Sequence, residues 1–281
     1  MYTRILTGPK PKLQAPAGMC DTHIHFYAEG WTAVPGTPQP PAATVADYRQ
    51  VMDWLGIQRV VVVQPNAYGF DNTVTLNAVA ELGDCARAIV VVPPDISDAD
   101  LQALHAKGVR GVRIMALLGG TLGMDKLEAT AHRIAPMGWH VIVQLDGREL
   151  PQYESILRNL PCKVVIDHIG KFQQPVPPEH ESFRCLLRLV DSGRIWVKLA
   201  AIYETSQSGA PDYADIGQLA KILAHHAPER MLWASNFPHA QAHRFGYPDE
   251  AALLDLLLDW APDAAAIEKI LSHNPAALYG F

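Results

Sequence analysis

Eight short apolar runs set the frame for this chain of 281 residues: "GMCDTH" (18–23), "RVVVVQ" (59–64), "AIVVV" (88–92), "VRGVRIM" (109–115), "HVIVQL" (140–145), "KVVIDH" (163–168), "IWVKLA" (195–200) and "MLWAS" (231–235). They are rich in β-branched residues and nearly continuous in apolar character, as strands buried on both faces of a parallel sheet are. Amphipathic segments alternate with them. "TVADYRQVMDWLG" opens on Thr44 as an N-cap, sets Val45, Tyr48, Met52 and Leu55 on one face and ends at Gly56. "SDADLQALHAKG" runs from a Ser97 cap to Gly108 in the same way. This alternation predicts an α/β fold, a (β/α)8 TIM barrel over residues 18–281, behind an N-terminal arm over 1–17. An open doubly wound sheet is the competitor. No G-x-G-x-x-G follows the first run and no G-x-x-x-x-G-K-[ST] occurs, so the usual nucleotide sites are missing.

A composition that is 49% hydrophobic can fill a large core. Net charge of −6 provides no basic field for nucleic acid. Cys20, Cys85, Cys162 and Cys185 form no C-x-x-C pair, so neither a thiolate zinc site nor a dithiol redox site is expected. The opening residues lack the apolar stretch of a signal peptide, and no apolar run is long enough for a membrane span. The expectation is a cytoplasmic protein with no nucleic-acid or membrane partner; a homo-oligomer is compatible with the sequence.

In such barrels the C-terminal ends of the strands carry the chemistry. His23 and His25 end the first run and, two apart on a strand, face one side. Gln64 and Asn66 follow the second run, Arg113 the fourth, Gln144 the fifth and His168 the sixth. Lys198 and Tyr203 lie at or beyond the seventh, and Asn236 and His239 follow the eighth. A polar side chain buried without a partner costs roughly 1–3 kcal/mol, and convergence on one mouth would remove that cost. Taken singly, each also has a packing explanation. The histidines can be hydrogen-bonded core residues, Arg113 a bridge between loops, and Gln64 and Gln144 hydrogen bonders within the barrel. Lys198 can be an ion-pair partner and Lys171 merely exposed. His105, His132, His180, His225 and His226 sit in helical or loop patterns and read as surface or packing residues.

"DTHIH", "VIDHIGK" and "LWASNFPH", in that order at barrel spacing, resemble the amidohydrolase superfamily, and within it the 2-pyrone-4,6-dicarboxylate lactonase-like branch. "LHAKGVRGVRIM", "GWHVIVQLDGRELP" and "HNPAALYGF" extend the likeness over roughly residues 18–281. The resemblance implies a distorted barrel of the amidohydrolase type and a small lactone as substrate. Two departures qualify it. Metal-dependent relatives place an aspartate after the eighth strand; here Asn236 stands there, and Gln144 ends the fifth. An amide cannot replace a carboxylate's charge on a divalent cation. No cofactor is therefore expected, and zinc on His23, His25 and His168 is the alternative.

In lactonases of this branch the eighth-strand aspartate activates water. An amide has no useful basicity near neutral pH. The pattern therefore implies attack by a hydroxyl of the substrate itself, which gains a high effective molarity. The implied enzyme is a lactone isomerase that converts a hexaric-acid 1,5-lactone (D-galactaro-1,5-lactone) into the 1,4-lactone in uronate or aldarate catabolism. Two alternatives stand beside it. One is a metal-independent lactonase for a sugar-acid or pyrone-dicarboxylate lactone, the other a sugar-acid-binding barrel without turnover. In the isomerase, His23 and His25 polarise the carbonyl, His168 shuttles the proton and Asn236 holds the attacking hydroxyl. Arg113 and Lys171 pair with the carboxylate, and Tyr48, Gln64, Asn66, Gln144, Tyr203 and His239 contact hydroxyls.

Overall fold

The computed structural model describes residues 2–117 and 119–281. The apolar runs form β1 (Cys20–Ile24), β2 (Arg59–Val63), β3 (Ala86–Val90), β4 (Val109–Met115), β5 (His140–Gln144), β6 (Val164–Ile166), β7 (Ile195–Leu199) and β8 (Met231–Trp233). Each pairs in parallel with the next, in sequence order. β8 comes back beside β1. Thr22 Oγ1 donates to the Trp233 carbonyl (2.9 Å), Asn236 N to that of His23 (3.1 Å) and His25 N to that of Phe237 (2.8 Å). The expected (β/α)8 barrel is found. Its strand ends differ from the expectation by a residue or two: β3 begins at Ala86, and β6 and β8 stop early because the chain turns off to build the rim of a cavity.

The helices between strands are α1 (Val45–Leu55), α2 (Thr73–Leu82), α3 (Asp98–Ala106), α4 (Leu127–Ile134), α5 (Leu150–Asn159), α6 (Glu181–Asp191) and α7 (Ala214–His226). After β8 come α8 (Glu250–Asp255), α9 (Leu257–Trp260), α10 (Ala264–Glu268) and α11 (Asn274–Tyr279). The local signals work as physical chemistry requires. Thr44 Oγ1 accepts from Asp47 N (3.1 Å) while the Asp47 carboxylate accepts from Thr44 N (2.9 Å), a reciprocal cap on α1. Gly56, left-handed at φ 78°, stops the same helix.

Two apolar layers result. Val61, Val63, Ile89, Ile142, Val165, Trp196 and Leu232 fill the barrel, plugged from below by Leu278 and Tyr279 of α11. Their alternates, such as Val60, Val62, Val141, Val143, Val164 and Ile166, pack outward against the helices. Strand parity then decides which polar residues face inward above the plug. Gln144, Asp167 and Lys198 lie two residues beyond Ile142, Val165 and Trp196 and share their direction. In β1 the register shifts between Asp21 and Ile24. This irregularity re-aims the strand, so that Cys20, His23 and His25 all point inward despite their odd spacing.

The arm carries no helix or strand over residues 2–17, yet it packs on the barrel. Leu13 is buried, Trp54 Nε1 donates to the Pro9 carbonyl (2.7 Å), and Arg4 lies over the Phe237 and Tyr247 rings. No helix among the described residues is long and apolar enough to cross a membrane.

Candidate active site

A cavity of about 930 Å³ opens at the C-terminal mouth of the barrel. His25, Asn66, Arg113, Gln144, His168, Lys171, Tyr203, Asn236 and His239, all expected from the sequence, line it. Tyr27, Pro38 and Pro40 wall one side, and Phe245 and Tyr247 another. Four expected residues do not reach it, Lys198 among them, fully buried. Tyr48 is on the helix side of β1, where its hydroxyl donates to Asp21 Oδ2 (2.9 Å) between Phe26 and Phe237. The Gln64 side chain is one residue out of phase with Val61 and Val63. It turns outward, donates to the Asp71 carbonyl (2.8 Å) and accepts from Thr75 Oγ1 (2.5 Å). His23 faces inward but lies a layer below the cavity, fully buried.

The two first-strand histidines form one chain. Lys198, a pure donor, gives a hydrogen bond to His23 Nδ1 (3.0 Å), which leaves the His23 proton on Nε2. His23 Nε2 then donates to His25 Nε2 (3.2 Å), and His25 Nδ1 donates to the Val63 carbonyl (2.7 Å). This tautomer assignment follows from the partners at the two ends. Burial, with the Lys198 and Arg113 charges behind it, holds both rings neutral: His25 is pushed down to about 3 and His23 well below its usual value.

Asp167 sits at the centre of the charged layer. His23 Nδ1 is 3.3 Å, Lys198 Nζ 3.6 Å and Arg113 Nη2 3.7 Å from its carboxylate, yet neither oxygen accepts a hydrogen bond. Burial works to raise its pKa, but Lys198, His168 and Arg113 outweigh it and the carboxyl stays below its usual range. Burial also lowers Lys198 to about 8. Arg113 is less free than expected: Nη1 donates to the Gln64 carbonyl (3.1 Å) and Nη2 to Gln144 Oε1 (3.3 Å). His23, Asp167 and His168 bring ligand atoms within 4.8 Å of one another and could hold a metal ion. A divalent cation there would compete for His23 and Asp167 with the Lys198 and Arg113 cations.

His168 and Lys171 owe their positions to a strained turn. His168, Ile169, Gly170 and Lys171 have φ of 53°, 57°, 84° and 49°, one full left-handed turn closed by Lys171 N donating to the His168 carbonyl (2.8 Å). Each non-glycine residue in that conformation costs roughly 1–2 kcal/mol. In return, residues three apart on so tight a turn share a side, and both side chains line the cavity. The remaining positive-φ non-glycine residues described, Ala201, Tyr213, Asn236 and His239, are all in the β7 and β8 loops that border the cavity. Strain of this kind gathers at functional sites.

On the opposite side a hydrogen-bonded series runs along β7 and β8. Glu250 Oε1 is 2.6 Å from His239 Nε2, and His239 Nδ1 is 2.6 Å from Tyr203 Oη. Asn236 Nδ2 donates to Tyr203 Oη (2.8 Å) and to Glu204 Oε1 (3.0 Å). The other Glu204 oxygen accepts from the Lys171 ammonium. Burial lowers Lys171 to about 7, with Asp167 acting in the opposite sense. Sequence reasoning missed Asp167, Glu204 and Glu250. Asp167 could have been found from its phase with Val165; Glu204 and Glu250 lie in a loop and a helix whose course no local pattern gives.

Fold, strand-end histidines and the buried carboxylate define an amidohydrolase-type barrel, and the family model described as amidohydrolase matches residues 20–281. The chain belongs to that family. It is 40% identical over 280 residues to D-galactarolactone isomerase of Agrobacterium fabrum, spanning 98% of this chain and 96% of the relative. It is 33% identical to 2-pyrone-4,6-dicarboxylate hydrolase of Comamonas testosteroni, over 96% of this chain and 92% of the relative. Among solved structures, an apo crystal structure of an Agrobacterium tumefaciens protein superposes with a TM-score of 0.94 at 39% identity, covering 99% of each chain.

Proposed function

We propose that this chain is a lactone isomerase, exchanging the ring of a sugar-acid lactone by attack of the substrate's own hydroxyl on the lactone carbonyl. A hexaric-acid 1,5-lactone such as D-galactaro-1,5-lactone, going to the 1,4-lactone, is the substrate this reading names. The observation that carries it is Asn236. The eighth-strand position at the lip of the cavity holds an amide, and the neighbouring carboxylate, Glu204, is occupied by Lys171 and by Asn236 itself. Water there lacks a free carboxylate base, whereas an intramolecular hydroxyl needs only orientation and a proton acceptor. Both Asn236 N–H bonds are committed inside the protein, so its carbonyl oxygen is the atom left to receive that hydroxyl.

The oxyanion side would use the Arg113 charge, because both His25 nitrogens are committed, Nε2 to His23 and Nδ1 to the Val63 carbonyl. Lys171 supplies a cation for the substrate carboxylate. The proton passes between two oxygens of one molecule, so one acceptor suffices; the cavity offers His168 directly and His239 through Tyr203. No step requires a metal ion. Similarity to a D-galactarolactone isomerase over nearly the whole chain supports the ring exchange. Similarity to a pyrone-dicarboxylate hydrolase makes lactone hydrolysis the second reading. Incubating the 1,5-lactone in ¹⁸O-labelled water and following it by NMR and mass spectrometry separates them. Unlabelled 1,4-lactone is expected; labelled open-chain diacid appearing as fast as the lactone disappears overturns ring exchange.

A further inference from the structure

Resting on the lactone reading, we propose that Tyr203, backed by His239 and Glu250, is the acid–base group of the site. It would take the proton of the attacking hydroxyl and return it to the departing ring oxygen. The series reads carboxylate, imidazole, hydroxyl, with 2.6 Å at each of its two contacts. Glu250, 1% exposed, can only accept, so the His239 proton is on Nε2 and Nδ1 is a bare lone pair. Tyr203 must then donate to Nδ1, and Asn236 supplies an N–H to the Tyr203 oxygen. That oxygen keeps one lone pair, and Tyr203 lines the cavity. It sits beside Asn236, whose carbonyl oxygen holds the same hydroxyl before its single proton turns to Tyr203 Oη. The base that Asn236 cannot be is therefore present two hydrogen bonds behind it.

The alternative carrier is less well placed. His168 Nδ1 has no hydrogen-bond partner, and burial, with the His23, Lys171 and Arg113 charges, acts against its protonation more than Asp167 favours it. His239, by contrast, is hydrogen-bonded at both nitrogens, to Glu250 and to Tyr203. The step balances. The substrate O–H bond breaks as its proton passes to Tyr203 Oη and Tyr203's own proton passes to His239 Nδ1. The freed electron pair bonds to the carbonyl carbon while the C=O π pair moves onto the carbonyl oxygen, to return when the adduct collapses. Collapse of the adduct breaks the bond to the ring oxygen, which receives the proton back along the same series. Nothing is oxidised or reduced and no water is consumed. A phenolate never stands alone in the buried site, where burial disfavours it strongly.

Tyr203→Phe, Glu250→Gln and His168→Asn, assayed with the purified 1,5-lactone, test the proposal. Tyr203→Phe should lower kcat about a hundredfold with KM within about threefold, the range of a lost acid–base group. Glu250 acts through His239 and is a positioning residue. Glu250→Gln should lower kcat about tenfold and move the acidic limb of the kcat–pH profile to lower pH, because the imidazolium loses its anion. A packing role would leave that limb in place. If Tyr203→Phe does not fold, the limb in Glu250→Gln decides, and an unmoved limb overturns the proposal. An active wild type with undiminished Tyr203→Phe and an inactive His168→Asn overturns this step alone. A wild type that turns over neither lactone overturns the lactone reading and this step with it.

Discussion

Asn236 Nδ2 donates to Glu204 Oε1 across 3.0 Å, so the amide that follows the eighth strand is itself bonded to a carboxylate. The contact makes Asn236→Asp more than a restored base. It would set two carboxylates about 3 Å apart, and such pairs share a proton, one of them titrating well above its usual range. Asn236→Asp should hydrolyse the 1,5-lactone weakly at pH 6 and increasingly above it, reaching about tenfold over wild type as the shared proton leaves. Adding Glu204→Gln should shift that rise to lower pH. Open-chain diacid measured by NMR across pH 5–9 checks this; a double variant no more hydrolytic than wild type sinks it.

Lys171 closes the left-handed turn at φ 49° with a buried ammonium, and both features cost stability. Asparagine tolerates that backbone and carries no charge. Lys171→Asn should therefore raise the melting temperature, by about 2–4 °C for each kcal/mol relieved in a domain of this size. Loss of the Glu204 pair offsets little, since that carboxylate is one-third exposed. Turnover should fall at least about tenfold because the cation facing the substrate is gone. Calorimetry with the NMR assay tests both halves, and a lowered melting temperature contradicts the strain argument.

The barrel was legible because runs such as Val60–Val63 and Val164–Ile166 are apolar on both parities, which only strands covered on both faces need. That same property hid the parity. With Val60 to Val63 uniformly apolar, nothing in the sequence says whether Gln64 points in or out, and it points out. Tyr48 was correctly placed on the buried face of α1, but that face covers Asp21 outside the barrel rather than the cavity. His23 and His25 were legible as a pair facing one way. Their different depths depend on the irregularity in β1, which has no local signature. Glu250 became visible only when α8 packed behind the β8 loop.

Acid should unfold this protein steeply. Burial lowers His25 and His140 to about 3 and holds His23 and His168 well below their usual value, while in the unfolded chain all four bind protons near pH 6.5. Folded pKa values below unfolded ones mean that the unfolded state binds more protons over this range, so stability falls as pH falls below about 6.5. With four groups the slope approaches roughly 5 kcal/mol per pH unit. Asp21, raised to about 6 by burial, binds its proton in the folded state and opposes this by at most one proton between pH 4 and 6. Urea titrations from pH 7 to 5 measure the slope, and a flat stability profile over that range would contradict it.

Lys198 is the residue on which both the His23–His25 chain and Asp167 depend, so removing it should reveal whether the charged layer works without a metal ion. Lys198→Met leaves Asp167 a buried anion with fewer cations, a change that costs about 3–5 kcal/mol when one partner of a buried pair is lost. Asp167→Asn added to it should recover much of that stability, because the two changes remove both charges, and the double-mutant cycle isolates their coupling. Activity should not return, since His23 has lost the donor that fixes its tautomer. The pH dependence carries a second signature. Lys198 titrates near 8 when folded and near 10.5 when unfolded, so its cost is complete below pH 8 and disappears as pH rises to 10.5. Wild-type stability should gain from that group over this interval, and Lys198→Met should lose the gain. Chelator-treated wild type should keep full turnover, and zinc should bind Lys198→Met more tightly, because the ammonium no longer covers His23 Nδ1. Loss of wild-type turnover on chelation, restored by zinc, would overturn the metal-free reading of the layer.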